Sequence, residues 1–178
     1  AFVWGYLGVL NFGHAAFFGT GAYAVAVLQM KFGINPWIGL VGGAVLAMLV
    51  AAFIGYCTFR YGLRGSYFAL VTLAFAEVLR ILANSFDITG AGVGLLIPLK
   101  QEAANLQFPD KTGFFFLVWA MTLAAFLVVW WIGHSRFGAQ LTAVRDNEDA
   151  ARALGVNPFR VKMGAIVLSG RFSGLAGI

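Results

Sequence analysis

Apolar residues fill the chain in long unbroken runs, and polar residues collect in the short stretches between them. Continuous rather than alternating runs predict helices, and runs of roughly 20 residues predict helices that cross a membrane. Residues 37–56, 65–84 and 113–132 read as such spans. Residues 1–30 are apolar but too long for one ordinary span, and Asn11-Phe12-Gly13-His14 interrupts them. This pattern predicts the end of one helix, a break, and a new helix from about Ala15. Broken helices inside a membrane are tolerated where protein or a water-filled cavity surrounds them. The break is therefore a candidate stretch of a solute path. In the competing placement it lies at the lipid–water interface, with Asn11 a cap and His14 an interfacial residue.

Within the span 37–56, Gly39, Gly43, Ala47, Ala51 and Gly55 recur every four residues. They form one ridge of small side chains, which lets a neighbouring helix approach closely. Glu77 and Arg80 stand three residues apart in the span 65–84, so they can meet on one face. Charges inside a membrane usually face the protein interior. The pair is either structural, or Glu77 lines a path. Arg80 lies close enough to the span's end to snorkel, which favours the structural reading. Trp130 and Trp131 close the span 113–132, and His134 and Arg136 follow them as an aromatic belt beside a basic loop.

The polar stretch 135–162 holds five of the twelve Lys and Arg residues and three of the seven acids. It reads as two short helices with a stop between them. Asp146 or Asn147 can cap the first, with Glu148 and Asp149 in its first turn. Gly155 is placed to end that helix in a left-handed cap. Asn157 then Pro158 restarts the chain, a cap residue followed by proline at the first helical position. The result is a compact helical elbow, either a docking surface for a soluble partner or a solvated connector.

Composition sharpens the class. The 178 residues are 61% hydrophobic and 11% charged, with a mean hydropathy of +0.85. Soluble domains average roughly 25% charged residues, so this is an integral membrane protein. The net charge of +5 lies mostly between spans and speaks for topology and anionic lipid contact, not nucleic-acid binding. When spans alternate, Arg60, Arg64 and the basic residues of 135–162 fall on one side. Lys31, Lys100 and Lys111 fall on the other, the last two among Asp87, Glu102 and Asp110. The elbow side is thus expected to be cytoplasmic. The chain opens inside an apolar run without Met, and its last run, 163–178, is roughly 24 Å long as a helix, short of the ~30 Å core. We read it as a piece of a larger protein, truncated at both ends.

Several chemistries find no motif. The glycine cluster Thr89-Gly-Ala-Gly-Val-Gly94 is not followed by the Lys-Ser or Lys-Thr that a phosphate loop needs. Cys57 is alone, no cysteine–histidine cluster exists, and neither His14 nor His134 has a visible triad partner. The reading needs no catalytic residue, no metal and no cofactor.

Asp149-Ala150-Ala151, three residues, then Gly155 resembles the EAA loop of bacterial ABC importer permeases. Its usual closing Ile-x-Leu-Pro is approximated by Ile166-Val167-Leu168-Ser169, with serine for proline and one residue late. The runs Gly5 to Tyr23, Tyr67 to Glu77 and Ala143 to Asn157 are similar to the branched-chain amino acid permease family. Ala91 stands where that family usually has the second glycine of Thr-Gly-Gly. The resemblance implies an all-α, polytopic transmembrane helical bundle, a fragment of an ABC importer permease in a bacterial inner membrane. Residues 1–178 would form its permease domain, and 135–162 a cytoplasmic coupling elbow inserted into a cleft of an ATP-hydrolysing subunit. The implied partners are two ATP-binding subunits, a second permease subunit, an extracytoplasmic solute-binding protein and the bilayer. The implied coupling residues are Glu148, Asp149, Ala150, Ala151 and Gly155. The implied path residues are Asn11, Gly13, His14, Tyr67, Thr72 and Glu77. The implied mechanism is alternating access by a subunit that is not itself an enzyme, carrying branched-chain amino acids or related small polar solutes. A structural or assembly membrane protein without a path is the alternative, in which the break would face headgroups or be straight helix.

Overall fold

A computed structural model describes residues 2–63, 65–95 and 111–178, and the regular elements among them are helices. Arg64, Lys100, Glu102 and Asp110, used above in the charge argument, lie outside the described residues. The order is α1 (Phe2–Leu7), α2 (His14–Phe32), α3 (Pro36–Arg60), α4 (Gly65–Ser85), a short 3-10 turn (Asp87–Thr89), α5 (Lys111–Gly133), α6 (Arg136–Asp146), α7 (Glu148–Ala153) and α8 (Pro158–Ala176). Among the described residues α3, α4 and α5 are long and apolar enough to cross a membrane.

The expected break is present: α1 ends at Leu7, and α2 starts at His14. Two expectations change in the polar stretch. It holds a helix of its own before the predicted pair, α6, capped by the Ser135 hydroxyl accepting the Gly138 N–H. The second predicted short helix is the first turn of α8, which continues through the last apolar run for 19 residues. Asn157 caps it and Pro158 opens it, as expected, but nothing in 158–176 stops it.

The centre is a three-helix contact. Gly43, Ala47, Ala51 and Gly55 of α3 face α8 along its length, and Ala47 and Ala51 are fully buried. A side chain on Gly170 would strike Ala51, and one on Gly174 would strike Ala47. α2 crosses both helices, with Gly21 against the Gly174 backbone and Val25 against Gly39. The small-residue ridge read from the sequence is thus the seam of the bundle. α4 joins through Phe68, stacked on Phe59 at 5.1 Å and buried with Phe17 and Ile54. α5 touches the rest mainly where its end meets α6, and Ile132 is its buried residue.

The contact between Tyr56 and Phe159 sets the end of α3 beside the start of α8. Lys162 lies over the Phe59 ring. Arg60 therefore shares a face with the elbow, while Lys31 and Lys111 stand at the far ends of α2 and α5, the partition expected from the charges.

Candidate functional site

The break is held from three sides. The Asn11 side-chain oxygen accepts the Gly13 N–H at 2.7 Å, and the Thr72 hydroxyl of α4 accepts the Phe12 N–H at 3.2 Å. Thr72 in turn donates to the Ala69 carbonyl. His14 Nδ1 lies 2.9 Å from the Asn11 carbonyl, which can only accept, so Nδ1 carries the proton. In a neutral ring Nε2 is then the acceptor, and the Ser169 hydroxyl of α8 donates to it at 2.7 Å. Ser173, one turn on, donates to the His14 carbonyl at 3.0 Å. The Phe12 and Gly13 N–H groups and the Asn11 carbonyl, which the broken helix leaves open, are satisfied in this way. One donor stays open: Asn11 Nδ2 is buried and makes no hydrogen bond among the described residues.

His14 thus joins α2 to α8 through Ser169. Ser169 lies eleven residues after Pro158, about 16 Å along α8, or roughly half the depth of a bilayer core. Asn11, Gly13, His14 and Thr72 come together here. Tyr67 does not join them; its side chain is exposed at the first turn of α4. Glu77 lies beyond them on α4, in a groove of about 870 Å³ between α2 and α4. Arg80 returns to Glu77 through Nε and Nη2, at 2.9 and 2.5 Å, instead of snorkelling toward the span's end. Ser169 and Ser173 were legible only as polar residues four apart on one face of an apolar helix.

The elbow is built from caps. The Asn147 side chain accepts the Asp149 and Ala150 N–H groups. Gly155 takes φ +83°, the Gly155 N–H bonds Arg152 O at 2.9 Å, and the Val156 N–H bonds Ala151 O at 3.0 Å. That pair of bonds is a Schellman stop. Five coupling candidates divide into two faces. Ala151 is buried among Leu141, Val144 and Val161, so it packs the elbow against its own chain. Glu148 receives Lys162 of α8 at 2.7 Å, which pins α7 to α8, and Arg152 of α7 itself at 3.1 Å. Asp149, Ala150 and Gly155 are exposed, and so is Leu154, at 83%. Leu154 was not singled out from the sequence, although an apolar residue before a helix-ending glycine was the available signal. Arg145 ties the elbow to α1 through the Gly5 carbonyl at 3.0 Å.

The profile of the family described as "Branched-chain amino acid transport system / permease component" matches residues 1–178. The chain belongs to this permease family. It is 30% identical over 197 residues to the high-affinity branched-chain amino acid transport system permease protein LivM of Escherichia coli (strain K12), covering 97% of this chain and 46% of that relative. It is 25% identical over 210 residues to the probable branched-chain amino acid transport permease protein LivM of Methanocaldococcus jannaschii, covering 98% of this chain and 59% of that relative. The chain spans about half the length of the curated relatives it matches. No solved structure matches it. As a family member with three helices able to cross a membrane, the permease chain is a multi-pass membrane protein.

Proposed function

We propose that this chain carries the permease function of a bacterial ABC importer for branched-chain amino acids, working in the inner membrane. ATP-binding subunits, a second permease subunit and an extracytoplasmic solute-binding protein complete the machine. The observation that carries the reading is the link between break and elbow. One helix, α8, leaves the capped elbow at Asn157 and reaches the polar break through Ser169 and Ser173. Asp149, Ala150 and Gly155 present the elbow to the ATPase cleft, and Glu148 and Ala151 hold its shape. Asn11, Gly13, His14 and Thr72 form a polar constriction on the solute path, with Asn11 Nδ2 as an open donor. ATP binding gives the two orientations of the path different stabilities, without which no ligand-independent equilibrium could pump. The break packs against α4 and α8 rather than facing outward, which favours this reading over a structural protein without a path.

The test is reconstitution of the full-length permease with its ATPase and binding-protein partners in proteoliposomes. ATP-driven accumulation of leucine, dependent on the binding protein, is expected. A complex that assembles but accumulates no branched-chain amino acid would refute the proposal.

A further inference from the structure

The groove between α2 and α4 has a direction. It begins at Phe12 in the break and ends at Phe86, Ile88 and Thr89, beyond the last turn of α4. Its walls are mostly apolar, with Thr20, Tyr23, Asn84 and Thr89 among them, and its charged residues are Glu77 and Arg80. Glu77 is twelve residues into α4, about 18 Å from the helix start. The pair therefore stands between the break and the outer loop. Both side chains are more than half exposed along the groove among the described residues, which leaves the pair open to a ligand.

The pair selects a class of ligand by its charge balance. Arg80 and Glu77 satisfy each other through two hydrogen bonds, and the site is neutral overall. A ligand with one charge would take one partner and leave the other without its counter-charge. A zwitterion leaves neither alone: its ammonium meets Glu77 and its carboxylate meets Arg80. Guanidinium binds carboxylate through paired N–H groups, which the free carboxylate oxygens of an amino acid can accept. Leu73, Ala76 and Leu79 offer apolar surface beside the charges. The volume of about 870 Å³ lies within the range of small-molecule sites.

We propose that this groove is the outward half of the solute route, and that Glu77 and Arg80 recognise the backbone charges of an α-amino acid with an apolar side chain. The inference rests on the permease reading and places recognition at these two residues. The experiment uses the complete transporter in proteoliposomes, with Ala76→Cys on a Cys57→Ser background and a membrane-impermeant methanethiosulfonate as the probe. L-leucine slows modification of the cysteine. Isoamylamine, which lacks the carboxylate, and 4-methylpentanoate, which lacks the ammonium, do not. In a second arm the paired change Glu77→Gln/Arg80→Gln removes both charges while the ion-pair geometry remains available to amides. Leucine uptake, as kcat/KM, falls roughly tenfold or more, as expected for losing charge-assisted hydrogen bonds, while the ATPase subunits still co-purify. A cysteine that never reacts, protection equal for all three compounds, or parental uptake in the paired variant overturns the groove proposal. Absence of ATP-driven uptake in the parent complex instead overturns the permease reading on which it stands.

Discussion

Gly155→Val isolates the elbow's stop from everything else in the fold. A side chain added at Gly155 meets nothing within 4 Å, so packing is not perturbed. The cost is in the backbone alone: φ is +83°, where a β-branched residue is strained by roughly 1–3 kcal/mol. That is about a 5- to 150-fold fall in the population of the capped elbow. Relaxation breaks the Val156-to-Ala151 and Gly155-to-Arg152 bonds and lets α7 fray or continue. Leu154 and Ala150 then leave their positions on the exposed face. The small-residue contacts of the α3–α8 seam do not involve Gly155. We expect Gly155→Val to fold in the membrane, to co-purify less ATPase, and to lose stimulation of ATP hydrolysis by loaded binding protein in nanodiscs. Gly155→Asn is the control, because asparagine tolerates the left-handed region better and should retain most of the coupling. Parental stimulation and full co-purification in Gly155→Val would show that the elbow is a connector and that its cap carries no coupling.

Three further outcomes follow from the same geometry. Ala47→Leu puts a branched side chain against Gly174 in a fully buried seam; overpacking of about 1–3 kcal/mol or more should abolish monodisperse permease in size-exclusion chromatography, and normal assembly would refute the seam. Asn11→Ala removes the acceptor of the Gly13 N–H, a loss of about 0.5–1.5 kcal/mol that should change leucine uptake while assembly persists; unchanged uptake kinetics would remove Asn11 from the path. On a Cys57→Ser background, a cysteine at Lys31 should react with an impermeant reagent in intact cells and one at Arg152 should not, because the basic elbow faces inward; the reverse pattern inverts the topology.

The helix ends were legible because they depend on local chemistry. Asn147, Gly155 and Asn157-Pro158 each act within four residues, and each does in the structure what its side chain or its φ allows. The α3 ridge was legible for a similar reason, since a four-residue period survives any choice of partner. The identity of the partner was not: Gly170 and Gly174 sit in a run of mixed polarity, and only the fold sets them against Ala51 and Ala47. The faces of α7 were hidden too. Ala150 and Ala151 are chemically alike, and one helical step of 100° sends one to solvent and the other into the cluster with Val144 and Val161.

The largest difference concerns α8, and it has a physical cause. Hydropathy changes near Met163, which divides 158–178 into a polar elbow and an apolar run. The backbone ignores that change, because a helix stops at a cap, a glycine in the left-handed region or a proline, and none lies between Pro158 and Ala176. The same unbroken helix carries Lys162 against Glu148 at its start and Ser169 against His14 in its middle. If the elbow couples to a partner as proposed, a displacement of α7 would be carried along this unbroken helix. It would then reach the α3 seam, where Gly170 and Gly174 lie against Ala51 and Ala47, and the His14–Ser169 bond. Both end at the break, where the backbone between Leu7 and His14 is not committed to a helix.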